Sequence, residues 1–263
     1  MMPVEYAVSE RIATITLNRP EAMNSLDPES LVELNDAFQR ANADQDVRVV
    51  ILTGAGDKAF CTGSDLKKTM PPKESFAELT FGRPKWLYPF AGMEIDKPMI
   101  CAVNGYALAG GMELALWADM RVVAEDATFG IFCRRFGVPL IDLGTIRLPR
   151  LIGHSQAIDL ILTGRPVGGA EALRMGLANR LVPKGETRAH AIALAKEIAR
   201  FPQACLRADR LSALRQWDLS EEEAIAGEMR GGLEVIASGE TLSGATRFAS
   251  GAGRHGTFGG DGK

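Results

Sequence analysis

The sequence predicts an α/β fold with crossover connections, and three observations carry that expectation. Short runs rich in β-branched and apolar residues lie at 11–18, 47–53, 99–103 and 120–124. Segments with apolar residues at helical spacing fall between them, which favours strands joined through helices. Beyond about Glu186 the helical period takes over, so a helical section closes the chain. The length of 263 residues suits one large domain, or a core with a smaller appendage.

Taken in order, Arg11 to Asn18 (RIATITLN) reads as the first strand, and Arg19-Pro20 ends it. Asp27-Pro28 supplies an N-cap followed by proline at the first helical position. Leu31, Leu34, Phe38 and Ala41 then recur on one helical face. Val47 to Thr53 is a second strand, closed by the turn Gly54-Ala55-Gly56-Asp57. A short apolar run leads into Cys61-Thr62-Gly63-Ser64-Asp65-Leu66. Residues 70–92 are irregular, with four prolines, and carry Phe76, Phe81, Trp86, Tyr88 and Phe90. Met99 to Val103 is a third strand, Gly110-Gly111 opens a helix, and Met120 to Ala124 is a fourth strand. Near the end, 190–200, 204–217 and 221–236 are helical by period, and the last residues form a glycine-rich tail.

Composition removes several functions. Lys plus Arg is 30 against 33 for Asp plus Glu, a net charge of −3, so neither nucleic acid nor an anionic membrane is an expected partner. Hydrophobic residues at 46% and charged residues at 24% argue against a disordered chain. Cys61, Cys101, Cys133 and Cys205 form no Cys-x-x-Cys, and His154, His190 and His255 are scattered, so neither a metal site nor a disulfide framework is expected. The N-terminus has an early Glu5 and no basic-then-apolar pattern, which predicts a cytoplasmic protein. The stretch Met99 to Ala118 carries a single charge, Glu113, and is long enough to span a bilayer. Asn104, Gly105, Gly110 and Gly111 break it, so a buried strand, a turn and a buried helix explain it better.

Two glycine-bearing turns could present backbone N–H groups, Thr62-Gly63-Ser64-Asp65 and Ala109-Gly110-Gly111. The first N–H groups of a helix attract negative charge, and two such groups aimed at one carbonyl oxygen make an oxyanion hole. The plainer alternative is a pair of turns with caps, Ser64 or Asp65 capping a helix. Glu113 has two readings as well. It is a dipole-favoured residue in a first helical turn, or a carboxylate sunk among Met112, Leu114, Leu116 and Trp117 and suited to proton transfer. Arg134-Arg135 and Arg147 to Arg150 read as solvated or ion-paired residues. No P-loop, Gly-x-Ser-x-Gly elbow or dinucleotide fingerprint is present.

Six stretches carry a resemblance: LNRPEAMNSLD (17–27), VVILTGAGDKAFCTGSDL (49–66), KPMICAVNGYALAGGMELALWADMRV (97–122), ATFG (127–130), GTIRLPRLIG (144–153) and LTGRPVGGAEALRMGLANRLVP (162–183). In them the chain resembles the enoyl-CoA hydratase/isomerase family, the crotonase superfamily. The resemblance implies a crotonase-like spiral of ββα units over 1–200, a helical oligomerisation region at 201–250 and a tail at 251–263. It implies an acyl-CoA thioester substrate, no further cofactor, and a homotrimer or dimer of trimers. On the matching positions, the backbone N–H groups of Ser64 and Gly110 form the oxyanion hole. Ser64, Asp65, Leu66, Lys67 and Gly110 bind substrate, and Glu113 is the acid/base. The residues at 70–92, among them Trp86, Tyr88 and Phe90, line the acyl pocket.

One departure bears on the chemistry. Well-studied hydratases of this family hold their water with two glutamates. Glu113 matches the first, but Cys133 stands at the second, and Asp142 lies in the loop just beyond. The implied reaction is enoyl-CoA hydration. The alternatives are an enoyl- or dienoyl-CoA isomerase using Glu113 with Asp142, or a non-catalytic acyl-CoA-binding member.

Overall fold

The computed structural model describes residues 2–68 and 93–253. It divides into two compact units, Met1–Ile198 and Ala199–Lys263. In the first unit the strands are β1 (Val4–Ser9), β2 (Ile12–Leu17), β3 (Val49–Gly54), β4 (Ala59–Cys61), β5 (Met99–Val103), β6 (Tyr106–Leu108), β7 (Met120–Ala124), β8 (Thr128–Gly130), β9 (Val167–Gly168) and β10 (Arg180–Val182). Its helices are α1 (Pro28–Ala43), α2 (Gly110–Trp117), α3 (Gly144–Ile152), α4 (His154–Thr163), α5 (Gly169–Arg174) and α6 (Thr187–Ala199), the last ending at the boundary.

Successive strands alternate between two sheets. One runs β1-β2-β3-β5-β7-β10, the other β4-β6-β8-β9. Each strand of the pairs β3/β4, β5/β6 and β7/β8 therefore feeds a different sheet. From β2 onward the larger sheet is parallel, with Val50 opposite Met99 and Ile100 opposite Met120. Every residue of β3 and of β5 is buried, as expected for parallel strands covered on both faces.

The strand expected at 11–18 is β2, but it is preceded by β1, which pairs with it antiparallel. Glu10 and Arg11 form the two-residue link between Ser9 and Ile12, both with positive φ (51° and 65°). Such a turn usually announces itself through Asn or Gly. Here it does not, and the largely exposed β1 offers no apolar run.

The start of α1 follows its sequence signals. The Asp27 side chain accepts from the Ser30 N–H at 3.0 Å, with proline next in line. Leu34, Phe38 and Ala41 are fully buried, and Phe38 meets Trp117 of α2 edge to face with centroids 4.7 Å apart. The apolar stretch 99–118 is β5, a turn, β6 and α2. Among the described residues no helix is long and apolar enough to cross a membrane.

The second unit holds α7 (Gln203–Arg215), α8 (Glu221–Ala237) and α9 (Glu240–Ala249). A capping box between Ser220 and Glu223 starts α8. The expectation of a glycine-rich tail falls mostly on 254–263, which lie outside the described residues.

Candidate active site

The site begins where β4 and β6 end. Beyond Cys61 the chain is held extended against Leu26, whose N–H donates to the Gly63 carbonyl and whose carbonyl accepts from Asp65, both at 2.8 Å. Gly63 sits at φ +86°, and a Cβ on it would lie 2.8 Å from the Gly110 nitrogen. The two glycine turns singled out in the sequence thus meet at bare backbone. After β6, Ala109 takes φ +50°, which a residue with a side chain rarely adopts, and its N–H donates to Gly130 at 2.9 Å. A Cβ on Gly111 would lie 2.0 Å from the Cys61 carbonyl oxygen, so the first turn of α2 lies directly on the end of β4. Among the described residues the Gly110 N–H, first of α2, has no acceptor.

Glu113, on that same first turn, is buried with 3% of its surface exposed. Its Oε1 accepts from the N–H groups of Asp142 at 3.0 Å and Gly144 at 2.9 Å. The carboxylate therefore caps α3, whose N-cap residue, Leu143, has no side chain able to do so. Burial pushes the Glu113 pKa up to about 7, and the neighbouring Asp142 carboxylate adds to the rise. The two N–H donations and the Arg147 guanidinium oppose it. Arg147 in turn is lowered to about 10 by burial, against the pull of Glu113 and Asp142.

Ser64, Leu66, Gly110, Glu113, Cys133 and Asp142 line one cavity of about 170 Å³, between the two turns and the loop ahead of α3. Asp142 is 3% exposed. The Cys133 thiol is pushed up by burial and by the Glu113 charge, so it is neutral near pH 7. The remaining wall is largely apolar, including Phe132, Phe136, Val138 and Ile141.

Asp65 and Lys67 are not on that wall. Asp65 pairs with Arg19 at 3.0 Å, and its side chain accepts from the Lys67 N–H at 3.2 Å, bracing a turn rather than a helix. Lys67 is exposed. Trp86, Tyr88 and Phe90 lie outside the described residues. Three residues have roles here that carry no signal in the sequence. Ala109 lies in a turn the sequence marks, but nothing in its composition announces its positive φ; Gly144 looks like any turn glycine, and Arg147 reads as a solvated or ion-paired residue. Among the described residues no cluster of His, Cys, Asp and Glu could hold a metal ion.

The model of the enoyl-CoA hydratase/isomerase family matches residues 7–252. The chain belongs to that family. Among curated members it is 41% identical, over 85% of this chain and 87% of the relative, to (E)-benzylidenesuccinyl-CoA hydratase of Thauera aromatica. It is 36% identical to enoyl-CoA hydratase EchA19 of Mycobacterium tuberculosis, over 89% of each chain. Among solved structures, enoyl-CoA hydratase EchA1 from Mycobacterium marinum superposes with a TM-score of 0.86 at 35% identity, covering 95% of this chain and 96% of that one. The fold is accordingly the crotonase fold, and the protein is an acyl-CoA enzyme of the enoyl-CoA hydratase/isomerase family.

Proposed function

We propose that this enzyme adds water across the double bond of a 2-enoyl-CoA thioester, with Glu113 as general base and then general acid. The observation that carries the reading is Glu113 itself, a carboxyl group on the wall of a largely apolar cavity with a pKa of about 7. Brønsted behaviour favours a proton carrier whose pKa lies near working pH. Glu113 takes a proton from water as the water oxygen bonds Cβ. The π electrons move onto the thioester oxygen as an enolate, and the same proton is then delivered to Cα. The Ser64 and Gly110 N–H groups stabilise the enolate oxygen, aided by the positive end of α2. Both residues share the cavity with Glu113, which supports the assignment. Asp142 supplies the second carboxylate that Cys133 cannot. Phe132 and Phe136 on the wall, together with the name of the Thauera relative, favour an aryl-bearing acyl group. Leu66 on the cavity wall, with Asp65 and Lys67 beside it, borders the CoA arm.

Isomerisation is the second reading, favoured by Cys133: a neutral thiol orients water poorly, while one carboxylate suffices to shuttle a proton. Both readings are tested by following crotonyl-CoA, cinnamoyl-CoA and the free acids with wild type, Glu113→Gln and Asp142→Asn. Hydration of the CoA esters alone is expected, with loss of about 10²-fold or more in Glu113→Gln and a smaller loss in Asp142→Asn. Conversion of 3-butenoyl-CoA, assayed alongside, to crotonyl-CoA by proton transfer from Cα to the γ carbon without water addition would favour the isomerase. Tight ester binding with no turnover by wild type would make the protein a binder.

A further inference from the structure

We propose that Gly144 is a positioning residue for Glu113: the 142–144 junction grips Oε1 and leaves Oε2 to carry the proton. The inference rests on the reading of Glu113 as the acid/base. Both N–H donations at the junction, from Asp142 at 3.0 Å and Gly144 at 2.9 Å, fall on Oε1. Among the described residues no hydrogen bond reaches Oε2. Leu143, between the two donors, is held at φ +71°, a left-handed conformation uncommon for a residue with a side chain. That kink lets residues 142 and 144 present their N–H groups to the same atom.

Gly144 is not a glycine of backbone necessity, because it opens α3 without a positive φ. Space is what excludes a side chain. A Cβ there would lie 2.6 Å from Glu113 Oε1, 2.8 Å from Cγ and 3.0 Å from Cδ. Any larger residue must therefore push the carboxylate out of its two hydrogen bonds. The charged and titratable groups facing Glu113 are Asp142 from the junction, Arg147 from α3 and Cys133 from the turn at 132–136. Burial and Asp142 favour the neutral acid, while the two N–H groups and Arg147 favour the anion. Losing the N–H groups alone shifts the balance towards the neutral acid, so more base is needed to ionise Glu113.

Gly144→Ala is expected to lower kcat at pH 7 by about 10-fold or more and leave KM within about 2-fold. The acid limb of its kcat–pH profile is expected to move up by about one pH unit. A merely structural glycine would leave that limb in place. In wild-type enzyme labelled with ¹⁵N-glycine, the Gly144 amide resonance is expected to titrate with the Glu113 midpoint near pH 7, and to stay flat in Glu113→Gln. The amide titration decides the matter even where Gly144→Ala fails to fold. Unchanged kcat and pH limb in folded Gly144→Ala, beside an inactive Glu113→Gln, would overturn the proposal, as would a flat Gly144 amide in wild type. Full activity in Glu113→Gln would instead overturn the acid/base reading, while the amide titration still reported the contact.

Discussion

Glu113 is held in tension between burial, which favours the neutral acid, and two backbone N–H groups, which favour the anion. A native pKa of about 7 against the unperturbed 4.5 means the folded state binds a proton more tightly than the unfolded chain. Stability tied to this residue is therefore fully present below about pH 4.5 and is lost as pH rises through about 7. The cost of keeping the charged form folded is about 3 kcal/mol. Glu113→Gln retains the shape and the acceptor but never ionises. It is expected to match wild type at pH 4.5 and to exceed it by up to about 3 kcal/mol at pH 8, read from urea unfolding at both pH values. A stability gap independent of pH would contradict the buried, raised carboxyl. Glu113 was visible in the sequence because a single charge in a long apolar stretch stands out. Its grip by Asp142 and Gly144 was not, because it depends on a tertiary contact across 29 and 31 residues.

At the scale of elements, the site depends on two strand ends that approach until only glycine fits. Gly63 combines φ +86° with a missing Cβ whose place is 2.8 Å from the Gly110 nitrogen. Gly63→Ala should therefore cost about 1–3 kcal/mol from the left-handed backbone alone, seen as a lower urea midpoint. It should also reduce turnover by displacing the Gly110 N–H, with CoA-ester affinity less affected; unchanged stability and kcat would show that the two turns do not constrain one another. The parallel strands β5 and β7 have the bounds their composition indicates: β5 is an uninterrupted apolar run, and β7 is apolar but for Arg121, which is buried and donates to the Leu177 and Ala118 carbonyls. The α1 start was equally legible from Asp27-Pro28. By contrast β1 is an edge strand with a Glu-Arg turn, and neither signals itself locally. The short α3 opens on Leu143 with a cap borrowed from another helix, so no capping residue marks it in the sequence.

In the whole molecule, the first unit contains the cavity and the second is helical. Within the second unit, Ile225, Met229, Leu233 and Ile236 recur at helical spacing along α8 and are each more than half exposed. Such a stripe would suit the contact between copies that the expected homotrimer or dimer of trimers requires. Leu233→Asp should then shift the protein to a smaller species by sedimentation, whereas an unchanged size would remove α8 from the interface. In the proposed hydration one carboxyl group, that of Glu113, moves the proton of water onto the substrate. The most direct test of this central claim is incubation of crotonyl-CoA and cinnamoyl-CoA with wild type and Glu113→Gln in deuterated water, with products read by mass spectrometry. Wild type should yield a product heavier by one water and carrying one non-exchangeable deuterium at Cα, and Glu113→Gln should yield almost none. Hydration by Glu113→Gln at more than about a third of the wild-type rate would contradict the claim.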